Sequence, residues 1–119
     1  MTGGFTKLEL AALHAIFAET PEMAEDLERQ LATAAVTDLE NTWHGFFTSI
    51  AVEGSSPRVA ADHLGKTTYA KVLGLNPGLG FVLFLKEGLL HKLEGYAFSP
   101  DDTTALDLAD LEFSITNDL

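Results

Sequence analysis

Leu10, Leu13, Ile16 and Phe17 recur at three- and four-residue spacing, which gathers them on one face of a helix. Thr6-Lys7-Leu8-Glu9 ahead of them fits a capping box, in which the Thr6 hydroxyl and the Glu9 carboxylate each satisfy a backbone N–H at the helix start. Phe5 and Leu10 are spaced for a hydrophobic staple across that cap. Thr20-Pro21 ends this helix and opens a second, since proline at the first helical position surrenders an N–H that has no partner anyway. Met23, Leu27, Leu31 and Ala34 or Ala35 form the second stripe, and Glu22, Glu25 and Asp26 near its start complement the helix dipole. The two helices are expected over about residues 6–35.

From about residue 44 the period shortens to two. Segments 45–52, 67–73, 80–86, 89–96 and 110–116 each read as strand. Phe81-Val82-Leu83-Phe84-Leu85 is apolar on both faces, which predicts a central strand covered at least in part on both sides. Glu87-Gly88 between two runs predicts a tight hairpin turn with Gly88 at positive φ, and Asn76-Pro77-Gly78 predicts another turn. Polar connections begin at Gly54-Ser55-Ser56-Pro57 and at Ser99-Pro100-Asp101-Asp102. Helices first and hairpin-linked strands afterwards imply an α+β fold: two N-terminal helices on a mostly antiparallel sheet of about five strands, in a single domain spanning 1–119. Two helices cover only one face of such a sheet, which leaves its other face as a place for binding.

Composition narrows the function classes. The chain of 119 residues and 12.8 kDa has 18 acidic and 7 basic residues, a formal net charge of -11. Phosphate-backbone binding needs clustered Lys and Arg, so nucleic acid is not an expected partner. The absence of cysteine excludes disulfides, thiol catalysis and thiolate metal sites. No apolar run approaches the roughly 20 residues that cross a bilayer, and Met1 to Phe5 lacks the features of a signal peptide, so a soluble cytoplasmic protein without a membrane role is expected.

The candidate chemistry is sparse. His14, His44, His63 and His91 form no pair with metal-ligand spacing, and no nucleophile elbow surrounds a serine. An Asp62–His63 dyad is conceivable, although adjacent side chains usually point apart. Asp101-Asp102 lacks the spacing of a calcium loop, and Gly74, Gly78 and Gly80 precede a strand rather than the helix a phosphate loop requires. Neither a metal, a cofactor nor catalysis is expected. The strongest alternative is a small enzyme or ligand-binding protein with a pocket between helices and sheet that involves His44, His91 and Glu94.

Charge distribution adds a second theme. Residues 19–40 carry seven acids against Arg29 alone, and residues 97–119 carry six acids and no base. These are either solvated faces or a surface for a basic partner.

Thr42-Trp43-His44-Gly45-Phe46-Phe47-Thr48 and the hairpin that ends Leu93-Glu94-Gly95-Tyr96 resemble a family of small uncharacterised bacterial proteins with a G-F-F-T strand and an L-E-G-Y hairpin. The resemblance covers roughly residues 38–98 and brings no activity with it. Two positions depart from its pattern. Trp43 stands where glycine or another small residue is expected, and Leu89 where a polar residue is expected. The resemblance therefore implies one of two things: an altered scaffold, an engineered binder whose apolar patch is built from Trp43, Leu89 and Leu39 within an acidic rim, or a chain in which Trp43 simply caps the core and Leu89 packs across the hairpin. The expected function is non-catalytic protein binding, to a partner that is basic or to a second copy of the chain as a homodimer.

Overall fold

The computed structural model describes residues 4–75, 78–98, 103 and 106–118. The chain builds α1 (Lys7–Glu19) and α2 (Pro21–Ala32), then β1 (Ala35–Asn41), β2 (Gly45–Ala51), β3 (His63–Leu64), β4 (Tyr69–Val72), β5 (Leu79–Lys86), β6 (Leu89–Ala97) and β7 (Phe113–Thr116). All pairings are antiparallel, in the order β1-β2-β6-β5-β4-β7, with β3 beside β5. The fold is α+β, with the two helices on one face of the sheet.

The capping box forms as its residue types dictate. Thr6 N–H donates to Glu9 Oε1 at 2.7 Å, and Glu9 N–H donates to Thr6 Oγ1 at 3.1 Å. Glu9 is buried, and its second oxygen accepts from the Thr48 hydroxyl on β2, so one carboxylate caps α1 and fixes it to the sheet. At the other end of α1, Glu19 Oε1 accepts from Lys66 N–H at 2.9 Å and Thr67 N–H at 3.0 Å, and its second oxygen takes the Thr68 hydroxyl. These bonds hold the β3–β4 connection against the helix.

Leu8, Ala12, Leu13, Ile16 and Phe17 of α1 and Leu27 and Leu31 of α2 bury against Phe46, Leu79, Phe81, Leu83 and Leu93 of the sheet. Each of these Leu, Ile and Phe side chains contributes roughly 1.5–3 kcal/mol of transfer free energy. Gln30 is the exception inside this layer. It is fully buried, and its amide donates to Pro57 C=O and Gly88 C=O, both at 2.8 Å, while accepting from Leu90 N–H at 2.8 Å. It pins α2 to the β5–β6 turn. Glu87 and Gly88 in that turn both have positive φ, 54° and 78°, the signature of a type I′ hairpin.

Two expectations are amended. The strand count is seven, because β1 and β3 join the five expected strands. The second helix stops at Ala32, and residues 35–41 are an edge strand exposed along most of its length, so they carry no buried stripe to announce them. Strand β5 is interior to the sheet and covered in part on both sides: the helices bury one face, and on the other Gly80 is buried under Tyr96 and Val82 is half-buried, while Phe84 is 37% exposed. Asn76-Pro77 and Ser99-Pro100-Asp101-Asp102 lie outside the described residues.

Candidate functional site

Alternation along the strands assigns each side chain to the helix-covered face or to the open face. Leu79, Phe81, Leu83 and Leu85 of β5 are buried, which turns Gly80, Val82, Phe84 and Lys86 to the open side. The register carries this assignment across the sheet. Tyr96 pairs with Gly45 and Gly80, Glu94 with Phe47 and Val82, and Lys92 with Ser49 and Phe84. On the flanks, Tyr69 and Lys71 of β4 and Asp38 and Glu40 of β1 face the same way.

The open face is rich in aromatic residues. Of the eleven in the chain, Phe47, Tyr69, Phe84, Tyr96 and Phe98 lie on it. Tyr69 and Phe98 have ring centroids 5.8 Å apart, and Tyr96 and Phe98 meet at 5.2 Å. Gly80 provides the floor beneath: a Cβ there would come within 2.4 Å of the Tyr96 ring. Glycine lets the phenol lie down on the backbone, and that burial, followed by the nearby Tyr69 and Glu94, raises the Tyr96 pKa above its ordinary 10.0. Lys92 Nζ stands 5.4 Å from the Phe47 ring centroid, a cation–π contact.

Trp43 occupies the β1–β2 turn at the Tyr96 end of this face. It is 65% exposed, and its φ is 78°, a left-handed conformation that costs a bulky residue free energy. Its backbone is held at both ends. Trp43 N–H donates to Asn41 Oδ1 at 3.2 Å, and Trp43 C=O accepts from Thr103 N–H at 2.7 Å. Thr103 is buried; its hydroxyl donates to Asn41 Oδ1 at 2.9 Å and accepts from Gly45 N–H at 3.0 Å. The turn is thus fixed while the indole is left in solvent.

The other expected site residues are scattered. Leu89 is half-buried opposite Lys86, at the far end of β6 and about 23 Å along the strand from Tyr96, so Trp43 and Leu89 do not share a patch. Leu39 is 41% exposed but pairs with Thr48, whose side chain is buried among the helices, so it points to the covered side of the edge strand. His44 is exposed in the β1–β2 turn, His91 is exposed between the Leu90 and Lys92 register positions, and Glu94 is half-buried on the open face. None of the three lines the cleft of about 600 Å³ between α1 and β7, which is bounded by Ala15, Glu19, Thr68, Ile115, Thr116 and Asn117 among others. Glu19 there is committed to the backbone and side-chain bonds already described.

Asp62 and His63 do meet, contrary to expectation: Nδ1 and Oδ1 are 2.7 Å apart, with both side chains exposed. His14 bonds Glu28 on the helical surface at 2.8 Å. Among the described residues, no cluster of three potential metal ligands occurs, and no helix is long and apolar enough to cross a membrane. Gln30 and Thr103, which set the two ends of the sheet in place, had no signal in the sequence beyond their polarity. No protein-family model, curated protein or solved structure matches the chain.

Proposed function

We propose that the protein is a non-catalytic protein-binding module whose contact surface is the open sheet face, with Trp43 as an anchor at its rim. The observation that carries this reading is Trp43 itself: an exposed indole held at positive φ by backbone bonds on both sides. A fold that retains backbone strain at an exposed aromatic residue has a use for that residue in its free state. Trp is also the side chain most enriched among binding hot spots, because it covers large area with little rotamer entropy to lose. The aromatic cluster of Tyr69, Tyr96 and Phe98 beside it supplies area of the same kind.

The left-handed backbone supports the further reading that residue 43 is a glycine-type position given over to an anchor on an altered scaffold. Leu39 and Leu89 are set aside as members of the Trp43 patch by their separate placement. The acidic rim is contributed by Asp38 and Glu40 on β1.

The single tryptophan makes the test direct. In dilute protein, red-shifted emission that acrylamide quenches readily is expected. Blue-shifted, protected emission at the lowest concentration would remove Trp43 as a free anchor and the reading with it.

A further inference from the structure

The β1–β2 turn closes through a side chain from far along the chain. Thr42 N–H donates to Gly45 C=O at 2.9 Å, which marks these two residues as the flanks of a two-residue turn of Trp43 and His44. The reciprocal bond of such a turn runs from Gly45 N–H to Thr42 C=O. Here Gly45 N–H donates to the hydroxyl of Thr103 instead, at 3.0 Å. Of the two central residues only Trp43 has positive φ, the pattern of a type II′ turn, whose first central position ordinarily belongs to glycine. Tryptophan has no preference for that backbone, so its cause lies outside the turn.

We infer that Thr103 is the positioning residue of the Trp43 anchor: it enters the turn from the β6–β7 connection, takes over the closing bond and holds residue 43 left-handed. This rests on the reading of Trp43 as an anchor and names what presents it. Thr103 is buried, and every polar group it has meets the turn. Its N–H donates to Trp43 C=O at 2.7 Å, and its C=O accepts from Asn41 Nδ2 at 2.9 Å. Its hydroxyl donates to Asn41 Oδ1 at 2.9 Å while accepting from Gly45 N–H. Asn41 Oδ1 also accepts from Trp43 N–H, so both backbone groups of residue 43 are tied, one to Thr103 directly and the other through Asn41. The role needs a group that donates and accepts at once in a small space, which a hydroxyl does and a methyl does not.

The same connection ties the anchor to the aromatic cluster. It leaves β6 at Phe98, whose ring packs on Tyr69 and Tyr96. Beyond Thr103 it is bound again: Leu106 N–H donates to Thr103 C=O at 3.1 Å, and the Leu106 side chain packs against the core. Ala97 N–H, next to Phe98, donates to His44 C=O at 2.6 Å and holds the other half of the turn. Trp43, Tyr96 and Phe98 are thereby set in one arrangement before a partner arrives, and the cost of ordering the turn falls on folding rather than on binding.

NMR on isotope-labelled protein tests the inference at the backbone. A residue at positive φ holds its amide hydrogen close to its own Hα, so wild-type Trp43 should give a strong intraresidue amide–Hα cross-peak, and the Gly45 amide should exchange slowly. Thr103→Val keeps the shape and removes the hydroxyl. The cross-peak should fall to that of an ordinary turn residue, and Gly45 exchange should quicken at least about tenfold. Thr103→Ser keeps the hydroxyl and should leave both as in the wild type. Thr103→Ala repeats the first comparison with less bulk to place, should the valine variant fail to fold. Gln30→Leu weakens the fold at the other end of the sheet and should leave the cross-peak intact, which separates loss of the latch from general destabilisation. A wild type without the strong cross-peak, a folded valine or alanine variant that keeps it, or a serine variant that loses it would overturn the inference. Both readouts are independent of the indole: a failed latch leaves Trp43 as an anchor, and protected Trp43 emission leaves the latch standing.

Discussion

Replacing Trp43 by glycine and, separately, by alanine separates the backbone strain at this position from everything the ring does. Both variants lose the same partly buried ring, so the contribution of its contacts cancels when they are compared with each other. At an ordinary position alanine would be the more stable by roughly 0.5–1 kcal/mol, because glycine has more freedom to lose on folding. At φ 78° the Cβ of alanine costs about 1–2 kcal/mol, and glycine escapes that cost. The balance favours the glycine variant by about 1 kcal/mol, which corresponds to roughly 3–5 °C in melting temperature for a domain of this size. Urea denaturation by circular dichroism measures the difference at 25 °C. An alanine variant as stable as the glycine variant would show that the left-handed backbone is not imposed on residue 43, and the argument from strain to function would fail.

Other consequences follow from the buried and turn residues. Gln30→Leu leaves the Pro57 C=O and the Leu90 N–H without partners, while the Gly88 C=O keeps only its bond from Val59 N–H, and should cost about 3 kcal/mol in urea denaturation. Glu87→Asn should raise stability by about 0.5 kcal/mol, because asparagine tolerates the left-handed first position of a type I′ turn. Burial, with Tyr69 and Glu94 close by, raises the Tyr96 pKa, so the native state keeps this proton to higher pH than the unfolded chain does. Its contribution to stability is fully present below the ordinary value of 10.0 and is lost as pH rises through the raised native value. Denaturation midpoints recorded either side of that range should show the decline, and Tyr96→Phe should flatten it.

Much of this architecture was legible in the residue pattern, because α1 and the five principal strands bury one face each and leave a period that shows it. Thr6 and Glu9 announce their cap at three-residue spacing, and Glu87-Gly88 announces its turn. Strand β1 was missed for the opposite reason: an edge strand exposed along most of its length, with a register shift between Val36 and Asp38, carries no alternation. Strand β3 is two residues long and is defined only by its pairing with Phe84 and Leu83.

The site was legible in part. That one sheet face would be left open follows from having two helices and a sheet. The grouping of Trp43 with Leu89 and Leu39 failed because it depends on register, which places the first two at opposite ends of β6 and turns the third to the other side. Phe98, Tyr69 and Tyr96 come together from two strands and the residue after one of them, with Gly80 as floor, a relation that only pairing creates.

The claim at the centre of this account is that the open sheet face is the surface through which the protein associates. Two-dimensional amide and indole NMR spectra across a dilution series test it residue by residue. Any concentration-dependent shifts should fall at Phe47, Phe84, Lys92, Tyr96 and the Trp43 indole, with the exposed positions of α2, such as Glu22, Glu25 and Glu28, unmoved. Shifts confined to the helices would contradict it.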